Sequence, residues 1–177
     1  AYLEAHPDVA AVGARGTKFG ETTGLIKGPV SAEDIELRLI FDMSLIGASI
    51  VMRRSWLEEK KIRYRSDGAY AEDYDLWVQI SEAGGAIANL PEVLLYYRVH
   101  GRSVTGSRYA YQQRAAMKVR YRQWERRGCH LSAEEKALLE GSVNGRSLSN
   151  DELATCRSIL AKLEACLLYT SDAADDL

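Results

Sequence analysis

The chain has 177 residues, 46% hydrophobic and 27% charged, with a formal net charge of -2. That is enough chain for a real core, and the balance describes a globular protein with no global attraction to nucleic acid. No apolar run approaches the roughly 20 residues of a membrane span, and no basic-then-apolar opening reads as a signal peptide.

In chain order, Ala1 to His6 reads as a helix end stopped by Pro7, and Val9 to Ala14 as a short strand. Residues 13–29 hold five glycines and little periodicity and read as a loop. Gly13-Ala14-Arg15-Gly16 reads as a turn rather than a phosphate loop, because no Gly-Lys-Ser/Thr or dinucleotide pattern follows. Ser31 with Asp34 resembles a capping box and opens a helix to about Phe41. Leu45 to Met52 is apolar and β-branched enough for a buried strand, ended by Arg53 and Arg54, with Ser55 capping a short turn that carries Trp56 and Leu57.

Asp73 to Ala83 is a helix. Leu76, Trp77 and Ile80 recur on one face, Glu72, Asp73 and Asp75 sit at the electropositive end, and Gly84-Gly85 supplies the stop. Ala86 to Leu90 and Val93 to Val99 read as two short strands split by Pro91-Glu92. After Thr105 the texture turns helical: Tyr109 to Arg127, then Ser132 to Leu139 and Ser149 to Ala165, the last two opened by Ser132/Glu135 and Ser149/Glu152 capping boxes. The expected organisation is residues 1–106 as an α/β unit, 107–165 as a helical appendage, and 166–177 as a tail that breaks the helical pattern and resembles translated adaptor or vector sequence. Cys129, Cys156 and Cys166 match no zinc or redox spacing and read as free thiols of a cytosolic protein.

Asp73 is the sharpest chemical candidate. A carboxylate in a first helical turn is held by backbone N–H groups and kept ionised by the dipole, and a positioned, ionised carboxylate is what a general base must be. Simple capping is the competing reading. Asp73-Tyr74-Asp75 spells D-x-D, but residues two apart on a helix point roughly 200° apart and cannot easily share one ion. Asp75 therefore reads as a solvated charge. His100, after a strand and before Gly101, is compatible with reaching a metal. Arg53, Arg54 and Arg98 can pair with a diphosphate or with nearby carboxylates.

Ala71-Glu72-Asp73-Tyr74-Asp75-Leu76-Trp77, Gly84, and Ala88 through His100 resemble the C-terminal block of the catalytic domain of family 2 glycosyltransferases. Upstream, Tyr2 through Gly13 resembles the segment after that family's metal-binding aspartates, and Val51-Met52-Arg53-Arg54 the strand before its acidic motif. The resemblance covers residues 2 to about 106. It implies a partial GT-A fold, a mixed sheet with flanking helices, and inverting transfer of a sugar from a nucleotide-sugar donor to a hydroxyl of a saccharide or lipid-linked acceptor. The setting implied is cell-surface polysaccharide or glycolipid synthesis, in the cytoplasm or at the inner face of the membrane. Asp73 matches the catalytic base, Glu72 its motif partner, and His100 a histidine that helps hold Mn²⁺ or Mg²⁺ on the diphosphate. Gly47 and Ser49 match a glycine-bearing loop near donor and acceptor, and Arg53, Trp77 and Arg98 complete the substrate-binding set.

The family's opening strand, base-binding residues and metal-binding D-x-D are expected before Ala1, so this stretch alone is expected to be inactive and to expose apolar sheet edges. Gly47-Ala48-Ser49 stands where relatives often carry a His-Pro-Ser type sequence. The alternative is an inactive transferase-like domain whose appendage, with Arg114, Lys118, Arg120, Arg122, Arg126 and Arg127, docks a protein or associates peripherally with an anionic membrane. Those basic residues are spread around the helix, which favours a solvated face.

Overall fold

The computed structural model describes residues 1–43, 45–65, 70–101 and 109–172, with 167–172 described by backbone alone. Two compact units emerge, Ala1–Gln112 and Gln113–Leu177. The junction expected at 106/107, and the end of the tail, lie outside the described residues.

In the first unit, a short helix α1 (Tyr2–Ala5) leads into β1 (Val9–Gly20). β1 is the axis of a four-stranded mixed sheet. β4 (Ala86–Val99) runs parallel to it along its whole length. On the opposite edge lie two antiparallel partners, β2 (Gly24–Ile26) beside Gly16–Lys18 and β3 (Val51–Met52) beside Ala11–Val12. The glycine-rich stretch read as a loop is therefore mostly sheet. Its glycines hide the period-2 alternation, and β1 is buried on both faces from Val9 to Ala14.

Pro91 and Glu92 do not divide β4. They form an irregularity in one continuous strand, because Leu90 pairs with Ala14 and Val93 with the next residue, Arg15. A proline fits such a bulge because it removes no ladder bond. Among the described strands nothing pairs the outer edge of β4, whose Leu94 and Tyr96 are exposed. The expected long strand from Leu45 shrinks to β3, preceded by a 3-10 turn over Gly47–Ser49.

Helix α2 (Ala32–Leu39) is capped as expected: Ser31 Oγ accepts from the Asp34 amide at 3.1 Å. Its Ile35 and Leu39 enter the core. Helix α3 (Arg54–Glu59) starts one residue before Ser55, so Ser55 is not its cap. Helix α4 (Glu72–Glu82) packs on α2 and on β4 and buries Tyr74, Leu76, Trp77, Val78 and Ile80. Tyr74 donates its hydroxyl to Leu39 O at 2.7 Å, which ties α4 to the end of α2. Gly84, at φ +78°, ends α4 in a conformation that costs glycine little.

In the second unit, α5 (Tyr109–Arg126, from Gln113 on), α6 (Ala133–Val143) and α7 (Asn150–Asp172) bury Val119, Tyr121, Trp124, Leu138, Ile159 and Leu163. Both capping boxes form. Ser132 Oγ accepts from Glu135 N at 3.2 Å while Glu135 accepts from Ser132 N at 2.9 Å. Ser149 and Glu152 do the same at 3.3 and 2.8 Å. α7 continues to Asp172, past Cys166, where the sequence suggested a break. Arg120 is buried and reaches Met117 Sδ at 3.1 Å, whereas Arg114, Lys118 and Arg126 are exposed. The basic residues of α5 thus do not share one environment.

Trp77 is 1% exposed at the centre of α4. Trp77→Ala is expected to lower the unfolding free energy by about 3–5 kcal/mol, read as a shifted urea midpoint. A change under about 1 kcal/mol would contradict its place in the core.

Candidate active site

The N-terminus of α4 faces the 3-10 turn. This turn is bolted to β1 by one side chain. Ser49 Oγ accepts from Ala14 N at 3.1 Å and has two acceptors within donating reach, Ile46 O at 2.8 Å and Ala14 O at 3.2 Å. Ser49 so fixed sets the height of Gly47. A Cβ added at Gly47 would stand 3.0 Å from Asp73 Cγ and well inside van der Waals contact distance of Asp73 Oδ2. Only glycine lets the backbone come this close to the carboxylate.

Asp73 is half-buried, and its Oδ1 accepts the Tyr64 hydroxyl at a long 3.3 Å. Burial pushes the Asp73 carboxyl above the usual carboxylate range; the Tyr64 hydrogen bond pulls it down and the neighbouring Glu72 charge pushes it up, with burial dominant. The helix start therefore does not hold the Asp73 carboxyl below its ordinary range, because burial outweighs it. The shift makes Asp73 a stronger base, since proton affinity at the operating pH is what general-base catalysis draws on. The Tyr64 hydroxyl is itself held protonated, by burial first and then by Asp73 and Glu72.

Asp75 is not solvated. It is 2% exposed, with Gln79 Nε2 donating to Oδ2 at 2.8 Å and the Arg65 guanidinium 3.7 Å from Oδ1. Asp73 and Asp75 do part to different surroundings, as the helical angle requires. What the sequence could not convey is that the Arg65 segment lies along this side of α4. The spacing of Asp75 and Gln79, one helical turn apart, was the available signal.

The remaining candidates separate. Glu72 is exposed beside Asp73. Arg53 is occupied by the chain's own backbone: its Nη2 donates to Leu3 O at 2.5 Å and His6 O at 3.1 Å, and its Nε to Val9 O at 3.3 Å. It fastens α1 to the sheet, which removes it from substrate contact. Trp77 is sealed in the core, and that burial puts it out of a substrate's reach. Arg98 lies over the Phe19 ring at 5.7 Å on the sheet surface.

His100 is exposed just beyond β4, where Glu21 brackets the strand end by accepting from Gly101 N at 2.9 Å. The turn carrying Gly47 lies over β1 near Gly13 and Gly16, whereas His100 follows Val99, the partner of Gly20. Those four residues of strand span roughly 13 Å. The structure therefore brings Asp73, Glu72, Gly47, Ser49 and Tyr64 together, with His100 farther along the sheet. Among the described residues no group of three or more His, Cys, Asp or Glu side chains is placed to hold a metal ion. No helix among them is long and apolar enough to cross a membrane.

Three curated proteins are similar in sequence. An uncharacterized glycosyltransferase of Haemophilus influenzae is 30% identical over 129 residues, 66% of this chain and 39% of that protein. The amylovoran biosynthesis glycosyltransferase AmsE of Erwinia amylovora is 34% identical over 101 residues, 55% of this chain and 36% of its own. A second uncharacterized glycosyltransferase of Haemophilus influenzae is 27% identical over 137 residues, 69% of this chain and 47% of its own. The chain is thus a homologue of glycosyltransferases and spans less than half the length of each of these relatives. No family model and no solved structure matches it.

A carboxyl whose proton affinity is raised on folding opposes the folded state when ionised. Its unfavourable contribution is absent below the ordinary carboxylate range and grows as pH rises through the raised value. Asp73→Asn, which keeps an acceptor for Tyr64, is therefore expected to raise the melting temperature at neutral pH and to leave it unchanged in acid. A lower melting temperature at neutral pH would show that the Asp73 charge supports the fold.

Proposed function

We propose that this chain is part of an inverting glycosyltransferase in which Asp73 is the general base. The observation that carries the reading is the half-buried Asp73 carboxylate, made more basic by burial and framed by Gly47 and Tyr64. An acceptor hydroxyl hydrogen-bonded to Oδ2 loses its proton to Asp73 as its oxygen attacks the anomeric carbon of the donor. The bond to the nucleoside diphosphate breaks on the opposite face, which inverts the configuration. Glu72, exposed beside the base, orients the acceptor. The Gly47–Ser49 turn is the wall that acceptor and donor meet, with Ser49 supporting it from behind.

The GT-A fold and family 2 membership are part of the same proposal. They rest on the motif order from Asp73 to His100 and on a mixed sheet flanked by helices. The likeness to an amylovoran biosynthesis protein favours an acceptor in polysaccharide or glycolipid assembly. The divalent ion the resemblance implies would stabilise the departing diphosphate. The described residues do not fit such an ion by themselves: His100 offers one imidazole nitrogen and the other donors must come from elsewhere in the protein.

The test uses the protein extended upstream to the length of its relatives. Asp73→Asn is expected to reduce sugar transfer by about 10²–10⁴-fold while donor binding and the circular-dichroism spectrum are retained. Undiminished transfer would remove Asp73 from the mechanism.

A further inference from the structure

Tyr64 stands outside every motif that the resemblance covers, yet its hydroxyl is the one side-chain donor on the Asp73 carboxylate among the described hydrogen bonds. Its place is not left to a wandering loop. Ile62, two residues earlier, is 5% exposed and anchors the segment in the core. Arg63 Nη1 donates to Ile62 O at 2.7 Å, and Arg63 O accepts from Gln79 Nε2 at 3.2 Å. Arg65, the next residue, pairs with Asp75. Gln79 thus holds the Arg63 carbonyl and the Asp75 carboxylate at once. These ties strap residues 62–65 along α4 on both sides of Tyr64. They also account for a buried aspartate and its glutamine partner, neither of which the transfer chemistry uses.

We propose that Tyr64 is the positioning residue of the base: its hydroxyl holds Asp73 Oδ1 and fixes the carboxylate plane, so that Oδ2, beside Gly47, is the oxygen presented to the acceptor. The inference rests on the reading of Asp73 as base. A carboxylate with both oxygens free rotates about its side-chain torsion, and with one oxygen tethered and the other against a glycine it has one orientation. The 3.3 Å contact is long, as such contacts commonly are before substrate closes a site. The tyrosine also opposes the effect of burial, since a donor to the ionised carboxylate lowers its proton affinity.

The experiment is Tyr64→Phe in the upstream-extended protein, compared with wild type and with Asp73→Asn. Three quantities are read: kcat and KM separately, the pH profile of kcat/KM, and the Asp73 carboxyl carbon resonance titrated by NMR. Tyr64→Phe is expected to lower kcat about tenfold with KM within about twofold. The acidic limb of the profile and the Asp73 resonance should both move to higher pH. A role confined to packing would leave both titrations in place. Wild-type kcat with an unmoved limb and resonance would overturn the proposal. The two readings fail separately. If Asp73→Asn keeps full activity the base assignment falls, which also takes away the catalytic role of Tyr64, while the resonance still shows whether the hydroxyl holds the carboxylate. If Asp73→Asn is inactive and Tyr64→Phe shifts nothing, the positioning role alone is overturned.

Discussion

The structure around the site depends on one close approach, that of the Gly47 backbone to the carboxylate of Asp73. Two independent assemblies have to meet there. The 3-10 turn is set by Ser49, whose hydroxyl bonds to Ala14 in the central strand. The aspartate is set by α4, whose buried Tyr74, Trp77 and Ile80 seat the helix against α2 and the sheet. Any side chain at position 47 would force one assembly to yield, and the end of the aspartate side chain gives way far more easily than a strand or a packed helix. The cost of a larger residue there should therefore appear in the placement of the carboxylate more than in the stability of the fold.

The electrostatics follow from the same geometry. The turn and the Tyr64 segment exclude water from one side of Asp73, and that desolvation outweighs the favourable hydrogen bond. The helix start that would ordinarily lower a carboxyl is also the place where α4 meets its neighbours, so burial prevails. Asp75, two residues on, lies deeper still, but there Arg65 and Gln79 satisfy it. One short acidic run thus yields an exposed charge at Glu72, a half-buried carboxyl of raised proton affinity at Asp73 and a buried structural anchor at Asp75.

Much of this was legible in the sequence wherever a local rule governed the outcome. The α4 stripe of Leu76, Trp77 and Ile80, the Ser31 cap and the Ser132 and Ser149 boxes follow from spacing alone, and the separation of Asp73 from Asp75 follows from the helical angle. What was not legible depended on partners distant in sequence. β1 reaches Gly20 because β4 supports it throughout, which the glycine-rich pattern conceals. Arg53 carries the charge of a phosphate ligand, but the carbonyls of Leu3, His6 and Val9 take it. Trp77 belongs to a recognisable motif and is nevertheless core. Tyr64 has no motif at all, and nothing short of the fold joins it to Asp73.

The central claim is that Gly47 acts through the Asp73 carboxylate. A double-mutant cycle on sugar transfer by the upstream-extended protein, combining Gly47→Ala with Asp73→Ala, measures that dependence most directly. The account predicts that Gly47→Ala greatly slows transfer when Asp73 is present and has almost no further effect once the carboxylate is removed. Effects that multiply independently in the double mutant would show that the glycine serves some other purpose and would contradict the account.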